Sequence, residues 1–239
     1  MGYWVNTTYA NHADLESVAR ALEALCAAEG MQQVPPPAQR ERLLVEPMQY
    51  DGALQNDLWG AAVFPGARSW TVIQTAPLEL LAERPIGSPR MRLADLCIRL
   101  SASAFQLNVY DSTETILVEV SKEGGVFTSG FAESETALEW HGERLSEDHL
   151  QAQFRVHPFQ DLIAGARLGD DVAQIIAKRF GGQNSPFCDN LVSVDTLITH
   201  KPFLAPGGLA LYFRWPGPTR QRYAGCASWA EYQAAVGSK

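Results

Sequence analysis

His141, Glu143, Glu147 and His149 are the densest titratable cluster in the chain. Imidazoles and carboxylates together suit zinc or manganese. On a helix, however, the two histidines would lie about two turns apart, too far for one ion without other ligands. The segment therefore reads as a solvated acidic loop leading into a helix, with no metal site expected. Cys188 precedes Asp189, and Asp195 and His200 follow. A thiolate nucleophile needs a base within hydrogen-bond reach. The apolar flank Pro186-Phe187 favours a small buried side chain instead, so Cys188 is not expected to be a nucleophile. Were the chain an enzyme, Cys188, His200, His141 and Glu143 would be the first candidates. The loop holding Asp51, Asn56 and Asp57 lacks the alternating ligands and closing glutamate of a calcium loop. Arg214, Trp215, Arg220, Arg222 and Tyr223 mix cations and rings as single-stranded nucleic acid demands, but the patch is small on an acidic chain. The sequence contains no G-x-S-x-G, H-E-x-x-H, P-loop or G-x-G-x-x-G pattern. No cofactor is expected.

Charge distribution is more informative than these motifs. The formal net charge is −8. Between Asp111 and His149 stand ten acids and two bases, so this stretch alone carries a net of −8 and the remainder is neutral. General nucleic-acid binding is disfavoured, because neutralising phosphates needs a basic surface. A protein partner with a basic surface is favoured, since clustered like charge steers encounter. The expected contact residues are Asn108, Tyr110, Glu119, Glu123, Glu133 and Glu135, with Tyr110 as the aromatic anchor.

These residues need a scaffold. A chain of 239 residues with 46% hydrophobic and 19% charged residues is long and apolar enough for a core without disulfides or metals. No apolar run is long enough to span a bilayer, and no signal peptide is apparent. The four cysteines are dispersed, as buried thiols of a reducing cytoplasm would be.

Leu15, Val18, Leu22, Leu25 and Cys26 form a helical stripe within 11–29, capped by Asn11 and ended by Gly30. Pro35-Pro36-Pro37 is a stiff connector. Strands are expected at 43–50, 58–64 and 70–75, and helices at 78–83 and 92–100. Alternation across 104–110, 115–120 and 126–131 predicts an antiparallel meander. One of its faces is expected to be apolar and the other to expose Gln106, Asn108, Tyr110, Leu117 and Glu119. A helix over 168–180, a strand over 209–215 and a final helix over 228–235 follow; 187–200 fits helix or strand.

The fold class is α+β. A single domain spanning 1–239 is expected, with a central antiparallel sheet flanked by helices and no βαβ rhythm. The expected character is a non-catalytic cytoplasmic protein-binding protein. An antitoxin or immunity protein that neutralises a basic toxin domain is one concrete version. The alternative is a hydrolase or transferase with a dispersed active site.

Overall fold

The computed structural model describes residues 5–36, 58–76, 80–82, 84–85, 88–110, 114–133, 138–141, 166, 169–181 and 207–214. In chain order the elements are β1 (Val5–Ala10), α1 (Leu15–Ala28), β2 (Gln32–Gln33), β3 (Leu58–Pro65), β4 (Thr71–Ala76), α2 (Arg92–Leu100), β5 (Ala104–Tyr110), β6 (Glu114–Val120), β7 (Val126–Glu133), β8 (Leu138–His141), α3 (Gly169–Phe180) and β9 (Leu209–Arg214). The strands form one antiparallel sheet in the order β2-β9-β3-β4-β1-β5-β6-β7-β8.

The class is α+β, with a central antiparallel sheet flanked by helices, as the residue patterns predict. Its centre has a connectivity that the sequence patterns did not reveal. Apart from the two-residue edge strand β2, which follows α1, the run β1-α1-β3-β4-α2-β5 lies in the sheet order β3-β4-β1-β5. Each helix thus links two strands that have a third between them, a split β-α-β repeated twice. β6, β7 and β8 continue the sheet on one side, and β9 and β2 on the other.

α1 and α2 pack against each other on one face of the sheet, α1 over β3 and β9, α2 over β6. Their core joins Leu22, Leu25, Leu93 and Leu96 to Trp59, Val63, Ile73, Val118 and Phe213. α3 covers the other face over β5 and β6. There Phe180 meets Tyr9, Trp70 and Phe105 at ring-centroid distances of 5.9, 4.9 and 4.8 Å. Tyr9 and Phe105 stack at 4.7 Å.

Local chemistry fixes the element ends. Asp14 caps α1, accepting from the Glu16 amide at 3.2 Å; Asn11, the expected cap, instead donates its backbone N–H to the Ser103 carbonyl. Gly30 follows α1 with φ of +85°. α2 occupies the predicted 92–100 and ends on Ser101 in the left-handed conformation. The expected helix at 78–83 is corrected in its described part, where Leu80 to Ala82 form a turn. The expected elements at 43–50, 187–200 and 228–235 lie outside the described residues. Among the described residues, no helix is long and apolar enough to cross a membrane.

Candidate functional site

The meander is built as expected along the chain but not across its faces. The pairing Asn108↔Ile116, Gln106↔Val118 and Ala104↔Val120 places even-numbered residues opposite even-numbered ones. Asn108 and Gln106 therefore lie on the α1/α2 face, whereas Glu119, opposite Phe105, lies on the α3 face. Both faces are covered here. Asn108 is 4% exposed and Glu119 only 1%. The expected single exposed face carrying Asn108, Tyr110 and Glu119 is thus corrected. Three residues between Tyr110 and Glu114 set the register, and a shift of one residue in pairing parity turns every side chain over.

The remaining members of the expected surface fare differently. Glu123 is exposed in the β6–β7 turn beside Lys122, whose Nζ lies 3.8 Å from its carboxylate. Glu133 ends β7, opposite Leu138 of β8, and Glu139 pairs with Ala132. Tyr110 ends β5 opposite Glu114. Glu135 lies outside the described residues. Among the described residues, α2 packs on β6 and α3 on β5 and β6, and β7 and β8 continue the sheet on that side. Val126, which opens β7, is 41% exposed, and Thr128 is exposed two positions on. Ile98 of α2, 37% exposed, reaches toward the same turn: its Cδ1 would lie 2.8 Å from a Cβ on Gly124.

His141 closes strand β8 opposite Gly130, so the expected acidic loop leading into a helix is corrected at that residue. Glu143, Cys188 and His200 lie outside the described residues. Among the described residues no group of three or more histidines, cysteines or acids is placed to hold a metal. Cys26 and Cys97 are buried free thiols, as their helical positions suggest. Burial pushes the Cys97 thiol up to about 12.

Two buried polar features were not foreseen from the sequence. The first is Glu119, whose carboxyl is pushed up to about 8 by burial and whose Oε1 meets no hydrogen-bond donor among the described residues. The second is a row of polar side chains on the α1/α2 face of the central strands: Asn6, Thr8, Thr75, Gln106 and Asn108. Gln106 Nε2 donates to Asn6 Oδ1 at 2.8 Å, while Gln106 Oε1 and Asn108 Oδ1 meet no donor among the described residues. Their only advance signal was polar alternation, which resembles that of a solvated face.

No protein-family model, curated protein or solved structure matches this chain.

Proposed function

We propose that the protein is a non-catalytic binding protein that engages a partner with a basic surface through the β6–β8 side of its sheet. The reading rests on one observation. The stretch carrying all of the formal net charge, Asp111 to His149, supplies β6, β7 and β8, the three strands at one end of the sheet order. Charge gathered within about one Debye length, ~8 Å at physiological salt, raises the rate of encounter with an opposite surface. Val126 and Ile98 add exposed apolar area at the β6–β7 turn. An interface centre needs such area, because rim charges contribute chiefly to association rate and specificity. In its concrete version the protein is a cytoplasmic antitoxin or immunity protein whose carboxylates stand in for the phosphates bound by a basic nuclease toxin.

The test is binding to immobilised basic nuclease-toxin domains at low and physiological salt. Wild type is compared with a variant carrying Glu123→Lys, Glu133→Lys, Glu135→Lys and Glu139→Lys. Glu119 is left intact, because a buried lysine there would unfold the sheet. The variant is expected to associate at least about tenfold more slowly and to lose most of its salt dependence. An unchanged association rate would remove the acidic side of the sheet from the interface. Failure of wild type to bind any such domain would remove the immunity reading.

A further inference from the structure

α3 is placed to leave the sheet without opening the core beneath the other two helices. The hydrophobic cluster joining α1 and α2 to the sheet takes in Leu22, Leu25, Leu93, Leu96 and Phe213 and, among the described residues, nothing from α3. α3 lies on the opposite face, over β5 and β6. Its buried side chains are Val172, Ala173, Ile176, Ala177 and Phe180, all apolar. The Phe180 ring meets Tyr9, Trp70 and Phe105, and the Phe180 carbonyl accepts from the Ala67 amide. A helix packed through one apolar side, outside the main cluster, is the kind of unit that opens locally.

A carboxyl group lies on the face that this helix covers. Glu119 of β6 stands opposite Phe105 of β5 and Phe127 of β7. It is almost fully buried, and its Oε1 meets no donor among the described residues. Its neighbours on that face bring no compensating charge. β5 contributes Phe105 and Leu107, and β6 contributes Leu117 and Thr115. Tyr9 of β1 is the titratable side chain beside them, and its ring stacks on Phe105. The charged side chains of α3 stand toward water, with Lys178 and Arg179 exposed and Asp171 half-buried. Lys122 and Glu123, in the turn after β6, are exposed and lie beside each other. Among the described residues no cation pairs with Glu119. Burial pushes its carboxyl up to about 8, whereas a hydrated one titrates near 4.5.

We propose that α3 is a pH-sensitive cover, released from the sheet as Glu119 gives up its proton, and that its release bares the aromatic surface of Tyr9, Trp70 and Phe105. The step is one deprotonation. The carboxyl O–H bond breaks, the proton passes to water, and the carboxylate is hydrated once α3 has lifted. Docking is strongest below about 4.5, weakens as the pH rises, and levels off above about 8. Across that window the ratio of open to docked α3 grows up to about tenfold per pH unit. Global unfolding exposes the same carboxyl and shares this slope, so the opening of α3 is recognised by its level as well as its pH dependence. The device does not depend on the partner proposed for the acidic side of the sheet.

The test is amide hydrogen exchange of the full-length chain from pH 6 to 9, with the intrinsic pH dependence of exchange divided out. Protection within residues 172–180 is expected to lie at least about tenfold below that of the Leu22 and Leu25 amides at every pH. It should fall by about five- to tenfold per unit between pH 6 and 7.5 and flatten above pH 8. In Glu119→Gln and Glu119→Met, neutral side chains of similar reach, α3 protection should stay within about threefold over the whole range. The proposal is overturned if α3 is as protected as α1, which would mean that it opens with the whole fold. It is equally overturned if wild-type α3 protection is flat with pH, or falls as steeply in the neutral variants. The wild-type profile decides the first two outcomes even should neither variant fold.

Discussion

Glu119 stands directly opposite Phe105, its carboxyl buried on the face where Phe105 stacks on Tyr9 and meets the edge of Phe180. Across the other strand its partner is Phe127. Set between two aromatic partners with Oε1 unpaired, the side chain is held in its neutral form by desolvation, up to about pH 8. In the unfolded chain it titrates near 4.5. Between these values the folded state holds a proton that the unfolded state has released. This contribution to stability is therefore full below about 4.5 and is lost as the pH rises toward about 8. Other carboxylates act in their own pH ranges, so the contribution is isolated by difference. Urea unfolding from pH 5 to 9 should show Glu119→Gln gaining on wild type by up to about 1.4 kcal/mol per pH unit, then levelling off. A constant difference across the range would mean that Glu119 ionises freely in the folded protein.

Docking of α3 depends on two glycines in near contact. A Cβ on Gly181 would lie 2.6 Å from Gly66 Cα and 2.7 Å from the Ala67 nitrogen, and Gly181 has φ of +105°. The close approach lets the Ala67 amide donate to the Phe180 carbonyl at 2.7 Å. Gly30 supplies a control, with φ of +85° and nothing within 4 Å of where a Cβ would stand. Gly30→Ala should cost only the left-handed backbone penalty, about 1–2 kcal/mol. Gly181→Ala should cost more, and amide exchange should rise first within residues 169–180, ahead of β1 and β5. Equal costs for the two substitutions would show that the contact with Gly66 relaxes freely.

The elements legible in the sequence were those whose apolar pattern matched their burial. α2 has Leu93, Leu96 and Cys97 on its inner side and occupies the predicted residues. β1 was not legible, because its inner positions are Asn6, Thr8 and Ala10, and Thr7 and Tyr9 alternate with them. A central strand buried on both faces normally reads as continuously apolar; this one is largely polar. Without β1 the split β-α-β connectivity could not be seen. Glu119 and Asn108 were misplaced for a related reason. A polar residue alternating with apolar ones signals a solvated face only if the opposite face alone is covered. Here α3 closes one side of β5 and β6, while the other side faces α1 and α2.

Cys97 offers a direct check on burial under α2. Its side chain lies within the hydrophobic core, and its Sγ–H points to the Val120 carbonyl at a weak 4.0 Å. With the thiol pushed up to about 12, the reactive thiolate is scarce at any ordinary pH. Alkylation at pH 8, read site by site by mass spectrometry, should leave Cys97 unmodified in the native protein and label it fully in denaturant. Native labelling at a rate near that of the unfolded chain would require α2 to be detached from β6.

The most costly single substitution is expected at the ion pair joining the two helices. Glu29 ends α1 and Arg92 begins α2, and the guanidinium donates through Nε and Nη2 to the carboxylate. Nη1 donates to the Leu80 carbonyl at 3.0 Å, and the group lies 5.8 Å from the centre of the Trp59 ring. The Arg92 side chain is 2% exposed and that of Glu29 14%. Removing either partner is not symmetrical. Glu29→Ala strands a guanidinium that cannot lose its proton, with an expected cost of about 3–5 kcal/mol. Arg92→Leu frees a carboxylate that is closer to water and replaces the cation with an apolar group of similar reach, so its cost should be smaller. The double substitution should then be less destabilising than the sum of the two, by about 1–3 kcal/mol. Arg92→Lys should not restore stability, because one ammonium cannot span both carboxylate oxygens and the Leu80 carbonyl. Urea unfolding of wild type and the four variants at low and high salt tests this. The high-salt costs should match the low-salt ones, because a pair this buried is poorly screened. Additive costs, or costs that vanish in salt, would instead describe an exposed pair contributing little to the α1–α2 contact.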